Sequence, residues 1–404
     1  MLRSRALDAV LIAAHRQGRI PFYASASGEE GAIVGSALGM EPADEVYSQY
    51  REGGVLLARG VAYGALVDQC VGCGRDAGKG RQMSIHYQSP AHHFHTVSST
   101  VGTQLLHAAG AAYARTLPPQ PRPRHVTAAY FGDGGSSTAD FAAAANLAAT
   151  RPSPLLFLCR NNGWAISTPV ASQWACDGVA GRAGGGYGLS AVRVDGGDVL
   201  AVIAAVRAAR AAALGDAPLP GGEKSAAADA SATATATAAR DPADEWAPTA
   251  AAAAPPPSPA RGAGAPSPSA PPRRRWRHCR PILVELLTLR AGDHSTSDDA
   301  GRYRDAPRLA AAAAAADPIS RLRGALASAG WWGSRDADVE AYEREQRSAV
   351  AAAVASAEAT PPPPASTAFD DVYDVVPPRL AAQRRELLAH LRRHPAVYAG
   401  VPIM

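Results

Sequence analysis

An α/β fold, with a mostly parallel sheet flanked by helices, is what this sequence predicts, and three observations carry it. Helical and strand-like apolar segments alternate from Leu7 to about Leu214, the pattern of a layered α/β domain. Two short apolar runs, residues 126–131 and 155–159, flank an alanine-rich helical stretch at 139–149. Strand, helix and strand in that order make parallel neighbours whose carboxyl ends open on one side. Both runs also stop at turn-forming polar groups, Gly132-Asp133-Gly134-Gly135 and Arg160-Asn161-Asn162-Gly163, and strand carboxyl ends are where such folds gather ligands.

The other elements follow from local signals. Leu7, Val10, Leu11 and Ala14 recur at helical spacing and Gly18 suits a stop, so the chain begins in a helix. Residues 191–194 read as a further strand, after which Asp198 is placed to cap a helix at 199–214. From Gly215 to about Pro272 the text is Ala, Pro, Ser, Thr and Gly, too poor in large apolar groups to offset ordering entropy. Residues 215–277 are therefore expected to be a disordered insertion in a core that begins at 1–214. Residues 281–289 predict the strand that resumes the fold, and 278–310 join it to a polar segment, "RAGDHSTSDDAGRYR", at 290–304. Helices are predicted around 319–329, 339–357 and 379–392, with a proline break at 361–364, so 311–404 read as a helical layer.

Composition removes several function classes. The chain has 404 residues and 47% hydrophobic content, enough for a large core. Its net charge of +4 is small and its densest basic run, 273–280, adjoins the low-complexity stretch, which argues against a nucleic-acid partner. No apolar run approaches the roughly 20 residues of a membrane helix, so no membrane partner is expected. Five cysteines make no disulfide framework, and Cys70 and Cys73 lack a second pair at zinc spacing, so both read as free structural thiols.

The chemistry sits at the two strand ends. Glycines after a parallel strand let backbone approach a ligand, and the helix that follows favours an anion. Residues 135–160 between the two motifs span one helix and one strand, so Asp133 and Asn162 are expected at adjacent strand ends. A carboxylate, an amide oxygen and a nearby backbone carbonyl suit Mg²⁺, which keeps positions for phosphate oxygens. Arg160 can fork onto the same phosphates.

"GDGGSSTADF" followed by "CRNNGWAIST" resembles the thiamine diphosphate motif. More narrowly, "GEEGAIVGSAL", "QYREGGVLLARG", "GKGRQMSIHY", "VSSTVGTQ", "VRVDGGDV" and "DPISRLRGALASAGWW" resemble the alpha subunits of the decarboxylating component of the 2-oxo acid dehydrogenase complexes, the branched-chain type in particular. The likeness runs from Arg16 to the "FDDVY" at Phe369, apart from the insertion. It implies a thiamine diphosphate-binding fold and a residue-by-residue site. Tyr50 and Arg51, with Gln49 beside them, would bind the diphosphate together with Ser99, Gly132, Gly134 and Arg160, and Val101 would touch the thiamine. Asp133, Asn162 and the Trp164 carbonyl would ligate Mg²⁺. Ser98, Thr100, Thr103 and Gln104 would hold K⁺, with Thr100 where the family has proline.

The same resemblance implies the reaction and its partners. Thiamine diphosphate would drive oxidative decarboxylation of branched-chain 2-oxo acids, with acyl transfer to a lipoyl-bearing acyltransferase core. The glutamate that activates the aminopyrimidine would come from a beta subunit in an α2β2 assembly, Glu29 and Glu30 being this chain's own candidates by type. His294 would handle protons at the reacting carbon, titrating near neutrality in a mobile loop. Ser295 matches a serine phosphorylated by a dedicated kinase and released by a phosphatase, while Asp305 replaces a second one. The setting implied is the mitochondrial matrix, although no presequence is visible in this chain. Two rivals are a pyruvate dehydrogenase alpha subunit and a non-catalytic subunit of the same fold; Thr296 and Asp299 favour the branched-chain form over the first, and Asp133 with Asn162 disfavours the second.

Overall fold

The computed structural model describes residues 1–117, 124–219 and 279–403. The N-terminal half alternates as expected: α1 (Leu2–Arg16), α2 (Glu30–Gly39), β1 (Glu45–Tyr47), α3 (Gly53–Ala58), α4 (Tyr63–Val71), α5 (Thr103–Ala114), β2 (Thr127–Gly132), α6 (Asp133–Ser136), α7 (Ala139–Thr150) and β3 (Leu155–Asn161). A small antiparallel hairpin, β4 (Trp164–Ala165) and β5 (Thr168–Pro169), precedes α8 (Gly178–Tyr187), β6 (Ser190–Asp195), α9 (Val199–Leu214) and β7 (Ile282–Leu287). The C-terminal layer is helical: α10 (Ala306–Ala316), α11 (Pro318–Ser328), α12 (Asp336–Glu358) and α13 (Pro378–Arg393). Asp198 caps α9 as its spacing implied, accepting from the Leu200 and Ala201 amides at 3.0 and 3.1 Å.

Among the described residues the five longer-range strands pair in the order β1-β2-β3-β7-β6, every pair parallel. Register brings the motifs to one rim. Gly132 lies opposite Arg160, and Asn161 and Asp195 both lie opposite Leu287. β3 is buried along its whole length, because helices cover both faces of the sheet. On one face Leu156, Leu158, Val284 and Leu286 join a core with Leu11, Ile33 and Val206 from α1, α2 and α9. On the other, Phe157 stands edge-on to Phe131 and Phe141 with centroids 6.3 and 6.1 Å away, under α5 and α7. Gly39 brings α2 against α9: a Cβ there would lie 2.7 Å from the Val206 Cβ. α12 docks on α1 and α4 through buried Val350, Val354 and Ala357.

The expected insertion lies outside the described residues from 220 to 277, but its first residues need correcting. Gly215 ends α9 in the left-handed region, and Leu219 is buried in the core cluster, so the core runs to 219. The chain returns at buried Cys279, and the Arg280 amide donates to the Ala213 carbonyl at 3.0 Å. Cys70 and Cys73 are free and buried, as read from their spacing.

Candidate active site

Three strand ends and two loops build the site. Gln49, just after β1, accepts the Gly132 amide on its Oε1 at 3.0 Å and so ties its loop to the GDG turn. That turn runs directly into α6 rather than closing on itself. A Cβ on Gly134 would fall 2.8 Å from the Ala165 Cβ, so only glycine lets this backbone lie against β4. Asp133 is 2% exposed. Its carboxylate accepts the Gln173 amide at 2.7 Å and makes no ion pair among the described residues. Burial pushes it up to about 6, against the pull of the Gln173 bond.

The asparagine pair is oriented by two glutamates. Asn161 donates to Glu285 at 2.8 Å and accepts the Gly163 amide at 3.0 Å, with Gly163 at φ 82°. Asn162 donates to Glu29 at 3.2 Å and accepts the Trp164 amide at 3.2 Å. Glu285 also accepts the Val179 and Ala180 amides at 3.0 Å, capping α8 from mid-strand. The Trp164 carbonyl, expected as a metal ligand, accepts from Arg290 at 3.3 Å.

Arg160 is not presented as a free fork. It ion-pairs with Glu29 at 2.9 Å and Glu52 at 2.6 Å, all three buried, because a guanidinium this deep needs carboxylate partners. Burial works to raise the Glu29 carboxyl, but Arg160 and Arg51 outweigh it and hold it below its ordinary value.

The polar segment at 290–304, expected as a mobile loop, is held by a frame of its own side chains. Arg290 is 1% exposed and holds the Trp164 and Ile166 carbonyls and the Tyr303 hydroxyl, while Arg304 returns to the Arg290 carbonyl at 2.7 Å. Asp298 accepts the His294 amide at 2.8 Å and the Tyr303 hydroxyl at 2.5 Å. Thr296 exchanges hydrogen bonds with the Tyr23 backbone, and the Ala291 amide donates to Ser27 at 3.0 Å. Within this frame His294 Nε2 lies 3.2 Å from the Tyr50 hydroxyl and Nδ1 3.2 Å from Arg51, whose guanidinium also holds the His294 carbonyl. The expectation of titration near neutrality is overturned: burial first, then the charges of Arg51 and Arg290, push His294 down to about 4. Arg51 can only donate, so Nδ1 accepts and the neutral ring carries its proton on Nε2.

Residues 98–104 lead into α5 along the same side. The Ser99 hydroxyl lies 2.7 Å from His86 Nε2, and the ring's Nδ1 is 3.0 Å from the Ser84 carbonyl. Val101 is exposed. Gln104 is buried and donates to the Tyr130 carbonyl at 2.9 Å, which leaves its Oε1 buried without a partner.

The dehydrogenase E1 component family matches residues 1–218 and 270–366. The chain belongs to that family. Its E1 relatives include the 2-oxoisovalerate dehydrogenase subunit alpha 2 of Arabidopsis thaliana, 37% identical over 406 residues, covering 100% of this chain and 71% of the relative. The 2-oxoisovalerate dehydrogenase subunit alpha of Caenorhabditis elegans is 36% identical over 98% of this chain and 77% of its own length. That of Homo sapiens is 36% identical over 96% and 72%. Membership of the E1 family implies an oxidoreductase with thiamine diphosphate as cofactor, and an alpha subunit implies a beta partner.

Sequence reasoning missed Gln173, Thr288, whose hydroxyl donates to Glu29 at 3.0 Å, and the role of Glu285. Gln173 and Thr288 carry no signal, being an ordinary amide and an ordinary hydroxyl. Glu285 did: an acid in the middle of the apolar run "PILVELLTL" has to meet buried donors.

Proposed function

We propose that this chain is the alpha subunit of a branched-chain 2-oxo acid dehydrogenase, acting on the 2-oxo acids of leucine, isoleucine and valine and passing the acyl group to a lipoyl domain. The observation that carries the reading is Asp133: a buried carboxylate with only a neutral side-chain partner, beside an oriented asparagine amide, in a chain of this family. Such a carboxylate calls for a cation. Asp133, Asn162 and the Trp164 carbonyl would hold Mg²⁺, with Tyr50, Arg51, Ser99, Gly132, Gly134 and Arg160 around the diphosphate and Gln49 bracing them. Ser98, Thr100, Thr103 and Gln104 would hold K⁺, a reading supported by the unpartnered Gln104 Oε1.

Thiamine diphosphate held there would supply the nucleophilic carbon chemistry that decarboxylation of a 2-oxo acid needs. The chain's own residues do the rest. Val101 offers an exposed apolar surface to the thiamine, and His294 keeps a proton at Nε2 near neutral pH, where it can be offered to developing negative charge. Glu29 is tied to Arg160, Asn162 and Thr288, and Glu30 to Arg5. Neither is free for the aminopyrimidine, which supports a glutamate from the beta subunit in α2β2. Ser295 lies beside Asp298 and Asp299, so a phosphate there would repel the loop's own anchor. That supports control by a kinase and phosphatase. The relatives are named mitochondrial, and the matrix is the setting we infer.

Calorimetric titration of the chain with its beta partner tests the cofactor: Mg²⁺-thiamine diphosphate should bind saturably, and its failure to bind would sink the reading. Turnover should be higher on 2-oxoisovalerate than on pyruvate; the reverse would reassign the substrate.

A further inference from the structure

Glu29 is fully buried one residue before α2 and is met from four directions. Its Oε1 accepts from Asn162 Nδ2 at 3.2 Å and from the Thr288 hydroxyl at 3.0 Å; its Oε2 faces Arg160 Nη1 at 2.9 Å and Arg51 Nε at 3.9 Å. A carboxylate can only accept, so the NH₂ end of Asn162 has to face it. The Trp164 amide can only donate, so the oxygen of Asn162 has to face that way. The amide is thus fixed from both ends, with one Oδ1 lone pair left over.

We infer that Glu29 is a positioning residue for the metal site: it sets the Asn162 amide with its oxygen, not its nitrogen, available to the cation. This rests on the Mg²⁺-diphosphate reading above. A partner of the ligand, rather than a ligand, is known to govern metal affinity in this way, with losses of ~10- to 100-fold when it is removed. Glu29→Gln isolates the effect. The new side chain's nitrogen cannot face Arg160 and Arg51, which only donate, so its oxygen turns to them and its NH₂ turns to Asn162. Two NH₂ groups would then meet, and Asn162 either bears that clash or gives up the Trp164 amide and turns its nitrogen toward the cation.

The test uses the chain assembled with its beta partner, Mn²⁺ as the probe for Mg²⁺, thiamine diphosphate present, and electron paramagnetic resonance to count free Mn²⁺. Glu29→Gln should weaken Mn²⁺ binding by ~10- to 100-fold with the fold intact by circular dichroism. Asn162→Asp should also weaken it despite adding a negative ligand, because two carboxylates would then sit within hydrogen-bonding distance. The double variant should bind better than either single one, since the introduced amide can donate to the introduced carboxylate. Wild-type Mn²⁺ affinity in Glu29→Gln, tighter binding in Asn162→Asp, or no recovery in the double variant would each overturn the proposal. The Asn162→Asp arm stands alone if Glu29→Gln does not fold. A wild-type assembly that binds neither Mn²⁺ nor thiamine diphosphate would instead refute the cofactor reading beneath it.

Discussion

Asp8 on α1 is a buried carboxylate that the chemistry does not use, and replacing it with asparagine should change how stability depends on pH. The carboxylate accepts the Tyr23 hydroxyl at 2.7 Å and the Ala26 amide at 2.8 Å. Burial raises its pKa from 3.8 to about 7, and those two bonds pull back only part of the way. Because the folded value lies above the unfolded one, the stabilisation is fully present below pH 4 and is lost as pH rises through about 7. At 1.36 kcal/mol per unit, roughly three units amount to about 4 kcal/mol. Asp8→Asn keeps both bonds: the amide oxygen accepts from Ala26, and the NH₂ group donates to the Tyr23 oxygen. Denaturant unfolding at pH 5, 6, 7 and 8 should show the wild type losing stability relative to the variant as pH rises to about 7, the difference reaching up to about 4 kcal/mol at pH 8. The site should feel it too, because the Tyr23 carbonyl and amide anchor Thr296. Cleavage of the 290–304 loop should rise above pH 7 in the wild type only. Parallel stability curves for the two proteins would refute the assignment.

Asp133→Asn should abolish Mg²⁺-thiamine diphosphate binding in calorimetry while leaving stability unchanged or raised by up to about 3 kcal/mol at pH 8, since it removes a buried charge raised to about 6. Thr296→Val removes the two hydroxyl-mediated hydrogen bonds to Tyr23 and leaves the backbone one; a local cost of about 1–2 kcal/mol should appear as faster proteolysis of the loop. Ser295→Glu places a charge beside Asp298, whose carboxylate holds the His294 amide, and should lower turnover while increasing loop cleavage. Phe157→Ala opens a hole between Phe131 and Phe141 and should cost about 3–5 kcal/mol in denaturant unfolding.

Much of the fold was legible because its signals are local. Apolar runs marked β2 and β3 to within a residue or two, and Asp198 marked the start of α9. The meeting of the GDG and asparagine motifs was legible as well, since one helix and one strand leave parallel neighbours little choice of register. What escaped is what depends on distant partners. The pairing of Arg160 with Glu29 and Glu52, 131 and 108 residues away in sequence, was not legible, since the motif shows only a lone guanidinium. His294 was expected to titrate near neutrality because nothing in "GDHSTSDD" shows that Tyr50, Arg51 and Arg290 enclose it. Gln173 reaches Asp133 through a turn that no periodicity announces.

The place where the chain leaves and re-enters the core has a practical consequence. α9 carries the chain back to the amino ends of the strands, where Ala213 bonds directly to Arg280 just before β7, and Leu219 and Cys279 are both buried. A six-residue strand, about 20 Å of β7, separates this seam from the rim that holds Asn162 and His294. Whatever joins Leu219 to Cys279 is therefore attached at the back of the molecule. A tag or reporter joined at Cys279 thus starts at the end of β7 opposite the rim that carries Asn162 and His294.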